Sequence, residues 1–184
     1  MGRKIAPVRL LYIPSLQSID KVRAACGAPG RAGEPLLLGE YGPYSPLAVA
    51  GRIREFHGGP LFLELIARNK NRDLIRSSLV SAPVSGFDGV VLASGRFLKG
   101  PGMAKPVYDL DPSQMLILAA RMRKEGTLPK TFTIAVRAPS GDGAAADRAR
   151  FFLENGADYL AFSAPPADEF KDRGLTIEEL PGIP

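Results

Sequence analysis

The residues with most chemical potential cluster in one stretch, GVVLASGRFLKGPGMAKPVYDLDPSQML, residues 89–116. Gly95, Gly100 and Gly102 leave backbone N–H groups open to close approach, and Arg96, Lys99 and Lys105 add positive charge. Such a loop at the end of a buried strand suits phosphate or carboxylate oxygens, and it equally suits ordinary surface cations near a turn. Of the carboxylates, Glu34, Glu40 and Glu64 could serve general acid chemistry, but no spacing singles out a pair. Glu64 is unusual because it interrupts the apolar run LFLELIA, where an unpaired carboxylate is costly to bury. His57, the single histidine, stands at a helix end before GGP and is expected to cap carbonyls. Cys26, the single cysteine, rules out an internal disulfide or a zinc site of several thiolates, and reads as a packed thiol. No metal is expected.

Short β-like runs alternate with helical patterns along the whole chain, and these elements must position the candidates. Strands are expected at 8–13, 35–40, 60–67, 89–94, 131–138, 158–164 and 175–183, several of them nearly continuous apolar runs of the kind covered on both faces. Helices are expected at 16–26, 45–57, 71–82, 113–125 and 144–155, with a short one at 167–173. Asp111-Pro112 before SQMLILAARMRKEG reads as an N-cap with proline in the first turn, and Asn155-Gly156 as a helix stop. Alternating units of this kind give a parallel sheet with right-handed crossovers, either an open doubly wound sheet or a (β/α)8 barrel. The open sheet lacks its G-x-G-x-x-G after the first strand, and the barrel lacks an eighth unit. In both, ligands bind at the carboxyl ends of the strands. Those ends carry Pro14-Ser15, Glu40-Tyr41-Gly42, Arg68-Asn69, Ser94-Gly95-Arg96 and Arg137-Ala138.

The 184 residues suit a single domain spanning 1–184, and 45% hydrophobic with 23% charged residues is an ordinary globular composition. The net charge of +5 is scattered and accompanied by no tryptophan, so nucleic acid is not an expected partner. No apolar run is long enough for a membrane span, and a cytoplasmic location is the default.

RNKNRDLIRSSLVSAPVSGFDGVVLASG followed by AKPVYDLDPSQML resembles the middle of a methylenetetrahydrofolate reductase. The likeness extends more loosely to LLYIPS, LLLGEYGP, NGADYLAFS and IEELPGIP. It implies a TIM-barrel-like α/β fold truncated to about seven βα units, open between strands 7 and 1. It also implies one-carbon chemistry on folate with FAD. Carried over by position, the family's acid falls on Leu11, its flavin-contacting histidine on Glu64 and its strand-ending aspartate on Arg96. Its later tyrosine and glutamine fall on Arg137 and Ser163. Tyr41, Gly42, Gly95, Lys105, Tyr108 and Asp109 match the cofactor's phosphate and ribityl side, with Arg96 beside them. The resemblance therefore implies impaired or absent reductase activity, with FAD bound weakly or not at all and folate or another anion as the small-molecule partner. The alternative is a non-catalytic subunit, homodimeric or paired with another protein through its open barrel. Glu64 is expected to pair with Arg96 or Arg137 across the old flavin position.

Overall fold

The computed structural model describes residues 8–28, 30–31, 33–95, 109–139 and 143–179. Seven parallel strands alternate with helices: β1 (Val8–Ile13), α1 (Ile19–Cys26), β2 (Leu36–Leu38), α2 (Pro46–Arg54), β3 (Leu61–Ile66), α3 (Arg72–Val84) and β4 (Gly89–Ala93). Then come α4 (Pro112–Lys124), β5 (Thr133–Arg137), α5 (Gly143–Glu154), β6 (Tyr159–Phe162), a 3-10 turn at Asp168–Phe170 and β7 (Gly174–Glu179). Local chemistry sets several starts. The Asn71 side chain accepts from Leu74 N at 2.9 Å to open α3, and Asp111 forms a reciprocal capping box with Gln114 at the head of α4. Pro46 and Pro112 occupy first turns, where the missing N–H costs nothing.

The strands close into a barrel in the order β1 to β7. The opening expected between strands 7 and 1 is absent: β7 pairs with β1 in parallel from Val8↔Leu175 to Tyr12↔Glu179. Seven strands enclose a narrower space than eight, and the side chains inside are sized for it. Leu10, Tyr12, Leu37, Phe62, Val91, Leu175 and Ile177 fill the interior, to which β5 and β6 contribute the small Ala135 and Ala161, with Tyr159 of β6 packed against the cluster. The intervening residues, among them Leu11, Ile13, Leu63, Leu92 and Val136, face outward into the larger core beneath the helices. This two-residue alternation decides which side chains can reach the barrel mouth.

At the opposite, amino-terminal end, two copies of one clamp tie neighbouring units together. Arg54, ending α2, donates to the carbonyls of Gly59 and Gly86 and to Asp88, whose carboxylate also accepts from Leu61 N. Arg123, in the last turn of α4, donates to Phe132 and Gly156 carbonyls and to Asp158, whose carboxylate accepts from Ile134 N. In each copy a Gly-x-Asp turn after a helix feeds the next strand. Arg9 adds a third link at this end, donating to Glu34 at 2.7 Å and to Glu178 at 2.8 Å.

Candidate functional site

At the carboxyl ends of the strands a cavity of about 410 Å³ opens, lined by residues of five strands or their following loops, by the start of α4 and by Arg148 and Phe152 of α5. Its floor is a buried ionic triad. Glu64, 1% exposed, stands two residues beyond the interior Phe62 on β3. One of its oxygens accepts from Arg137 Nε at 2.9 Å and lies 2.9 Å from a terminal nitrogen of the same guanidinium in an ion pair. The other accepts from the Tyr12 hydroxyl in a short hydrogen bond. Arg137, two residues beyond Ala135 on β5, also donates to Ser163 Oγ at 3.2 Å and lies 5.1 Å from the centre of the Tyr12 ring. The carboxylate is thus satisfied on both oxygens, which is what permits its burial.

Tyr12 is held strongly protonated. Burial first, then the adjacent Glu64 charge, push its hydroxyl far above the ordinary phenol value, and Arg137 opposes them only in part. Its proton goes to Glu64, so toward the cavity the phenol oxygen has only lone pairs to offer. Higher on the wall stand Tyr41, Ser94, Gly95, Asp111, Ser113 and Arg148. Gly95 adopts φ 89°, a left-handed conformation that favours glycine. Arg148, exposed on α5, makes no ion pair with any described residue.

The residues singled out in the sequence divide sharply. Glu64, Arg137 and Ser163 converge on one network, and Tyr41 and Gly95 line the same cavity. Leu11, where the reductase acid would fall, does not reach the mouth: it is 2% exposed and packs outward against the helices, and its neighbour Tyr12 takes the interior position. Asp109 caps a helix, accepting from Arg72 N at 2.7 Å. Gly42 is a packing glycine, since a Cβ there would lie 2.5 Å from Leu16 N. Arg96, Lys99, Lys105 and Tyr108, with Gly100 and Gly102, lie outside the described residues. Glu40 holds the ends of two strands together, accepting from Ile66 N at 3.0 Å and Lys70 Nζ at 2.7 Å. His57 and Cys26 are buried away from the mouth. No group of three or more metal-ligating side chains occurs among the described residues, and no described helix is long and apolar enough to cross a membrane. Tyr12 and Arg148 were missed by sequence reasoning. Tyr12 carried a signal, its place two residues after Leu10. Arg148 carried none.

No protein-family model matches the sequence, and no curated protein matches it. Solved structures do share the fold. A protein provisionally assigned as a phosphonomutase, from Burkholderia cenocepacia, aligns at TM-score 0.55 and 15% identity over 96% of this chain and 88% of its own. A phosphoenolpyruvate phosphomutase from Streptomyces platensis aligns at 0.56 and 16%, over 86% of this chain and 60% of its own. A protein provisionally assigned as a deoxyribose-phosphate aldolase, from Toxoplasma gondii, aligns at 0.53 and 17%, over 90% of this chain and 61% of its own. At such identities the likeness establishes the barrel fold alone. These neighbours are mutase and aldolase barrels rather than methylenetetrahydrofolate reductases, and they overturn the resemblance drawn from the sequence. The folate, flavin and oxidoreductase readings go with it. So does the non-catalytic subunit, whose rationale was an open barrel; closure removes the strand edges that called for a covering chain.

Proposed function

We propose that this protein is an enzyme that binds a small carboxylate- or phosphate-bearing metabolite in the barrel mouth, with Arg137 as its anion-binding group. The carrying observation is a count of donors. A guanidinium has five N–H groups. Glu64 accepts from Nε and pairs with one terminal nitrogen, and Ser163 accepts from the other, so among the described residues each terminal nitrogen keeps at least one N–H without a partner, on a side chain that lines the cavity. That remaining pair matches the two oxygens of a carboxylate or phosphate. Glu64 fixes the guanidinium in place before any ligand arrives, which reduces the ordering cost of binding. Arg148 supplies a second positive charge on the wall.

The same arrangement suits an oxyanion that develops during reaction, as when a bond next to a carbonyl is broken through an enolate. Lyase, aldolase or mutase chemistry is the class that builds such charge. The names of the fold neighbours refer to a phosphonate, phosphoenolpyruvate and deoxyribose phosphate, all small and anionic, and they support this reading. Glu64 is a positioning residue in it, with both oxygens committed.

Isothermal titration with inorganic phosphate, oxalate, phosphoenolpyruvate and 2-deoxyribose 5-phosphate tests the proposal. At least one should bind in the micromolar to millimolar range. R137K, which keeps the charge and loses the fork, should weaken that binding by about 2 kcal/mol, roughly 30-fold. Absence of binding by the whole panel, or full affinity in R137K, would overturn it.

A further inference from the structure

We infer that the site selects a 2-hydroxy acid over the matching 2-oxo acid, and that Tyr12 is the residue that makes the choice. The inference rests on the proposed anchoring of a carboxylate at Arg137 and adds to it the polarity of the neighbouring group. Arg137 lies over the Tyr12 ring, its guanidinium carbon 5.1 Å from the ring centre, so a carboxylate on the free N–H pair brings its second carbon near the phenol. Both Tyr12 and Arg137 line the cavity. The Tyr12 proton is directed into Glu64, whose carboxylate is an acceptor only, so the phenol cannot turn that proton toward a ligand without breaking the bond. What it presents to the ligand is an acceptor. A hydroxyl on the second carbon can donate to it. A keto oxygen in the same place sets lone pair against lone pair and leaves a buried acceptor unpaired.

The alternation along the barrel explains why this polarity is fixed. Glu64 is 1% exposed and accepts from both Tyr12 and Arg137, one on each oxygen. Burial and the Glu64 charge hold the phenol protonated across the working pH range. Neither side chain can therefore switch roles to suit a keto ligand.

The test compares matched pairs by isothermal titration, with both enantiomers of lactate against pyruvate and both of malate against oxaloacetate. One enantiomer of a hydroxy acid is expected to bind at least about tenfold more tightly than its oxo partner. In Y12F, which removes the acceptor, the two members of each pair are expected to become equal. Equal or tighter binding of the oxo acid by the natural protein would overturn the inference while leaving the anion anchor standing. A preference that survives in Y12F would overturn the assignment to Tyr12. If no carboxylate in either pair binds while phosphate or oxalate does, the inference falls and the anchor stands; if the earlier panel fails as well, both fall. Should Y12F prove unfolded, the comparison in the natural protein still decides the matter.

Discussion

Replacing Glu64 by alanine should be among the most destabilising single changes in this chain, and the structure sets the size of the effect. The carboxylate side chain is 1% exposed and its partner Arg137 25% exposed. Removing one member of a buried pair usually costs about 3–5 kcal/mol, because the other charge is left uncompensated. Arg137 can recover part of its hydration through the cavity, which puts the pair's share near the lower end, about 3 kcal/mol. The Tyr12 hydroxyl also loses its acceptor, adding about 1 kcal/mol. Together these correspond to a fall in Tm of about 10 °C for a chain of this size. The reverse change, R137M, should be worse than E64A, since it strands a carboxylate that water cannot reach. The double variant E64L/R137M has neither charge and should lie within about 1–2 kcal/mol of the natural protein. With no tryptophan in the chain, urea unfolding followed by far-ultraviolet circular dichroism is the suitable assay. A cost for E64A below about 1 kcal/mol would refute the reasoning, as would a double variant as unstable as the sum of the singles.

Two glycines should respond in opposite directions to alanine. Gly51 lies inside α2, exposed and with nothing within 4 Å of an added Cβ, so G51A should stabilise by about 0.5–1 kcal/mol through reduced backbone entropy of the unfolded chain. At Gly39 the added Cβ would lie 2.5 Å from the Pro14 carbonyl oxygen, so G39A must push apart the ends of β1 and β2 and should cost about 1–3 kcal/mol. Thermal melts of the two variants check both, and a stabilising G39A would contradict the geometry. His57 supplies a pH dependence. Burial, the largest cause, lowers its pKa below the ordinary value, while its hydrogen bond with the Pro60 backbone opposes this in part. The unfolded chain therefore takes up a proton, near pH about 6.5, before the folded one does. Stability should be flat in this respect above neutrality and fall as pH drops through that value toward the folded pKa, by at most about 1.4 kcal/mol per pH unit. H57Q should flatten this slope, and an identical slope in both proteins between pH about 7 and 5.5 would show that His57 does not cause it.

How much of this was legible in the sequence depends on the scale of the question. The strands and the five α-helices lie close to their expected ranges because apolar runs, caps and proline positions are local signals. Closure is not local. It depends on the summed volume of residues brought to one level from several strands, and Ala135 and Ala161 look unremarkable until Leu10, Phe62 and Leu175 are known to share the same space. The repeated clamps were hidden for a similar reason: Arg54 with Asp88, and Arg123 with Asp158, are distant in sequence and joined only by the turn between units. Arg148 sits on an exposed helical face, where nothing distinguishes one cation from another before the cavity is seen.

The mouth of the barrel was more readable than the family resemblance allowed. In a strand the side a residue faces follows its parity, and an inward apolar residue fixes the parity of the whole strand. Leu10 places Tyr12 inside, Phe62 places Glu64 inside, Ala135 places Arg137 inside, and Ala161 carries the same alternation on to Ser163. The same rule puts Leu11 outside, where no acid could touch a ligand in the mouth. Matching the first strand to a family motif shifted the reading by one residue, and in a β-strand one residue is the difference between the core under the helices and the site. Glu64 was the internal check. A carboxylate in the middle of an apolar strand demands partners, and on an inward-facing parity those partners must come from other strands at the same height, which are Tyr12 and Arg137.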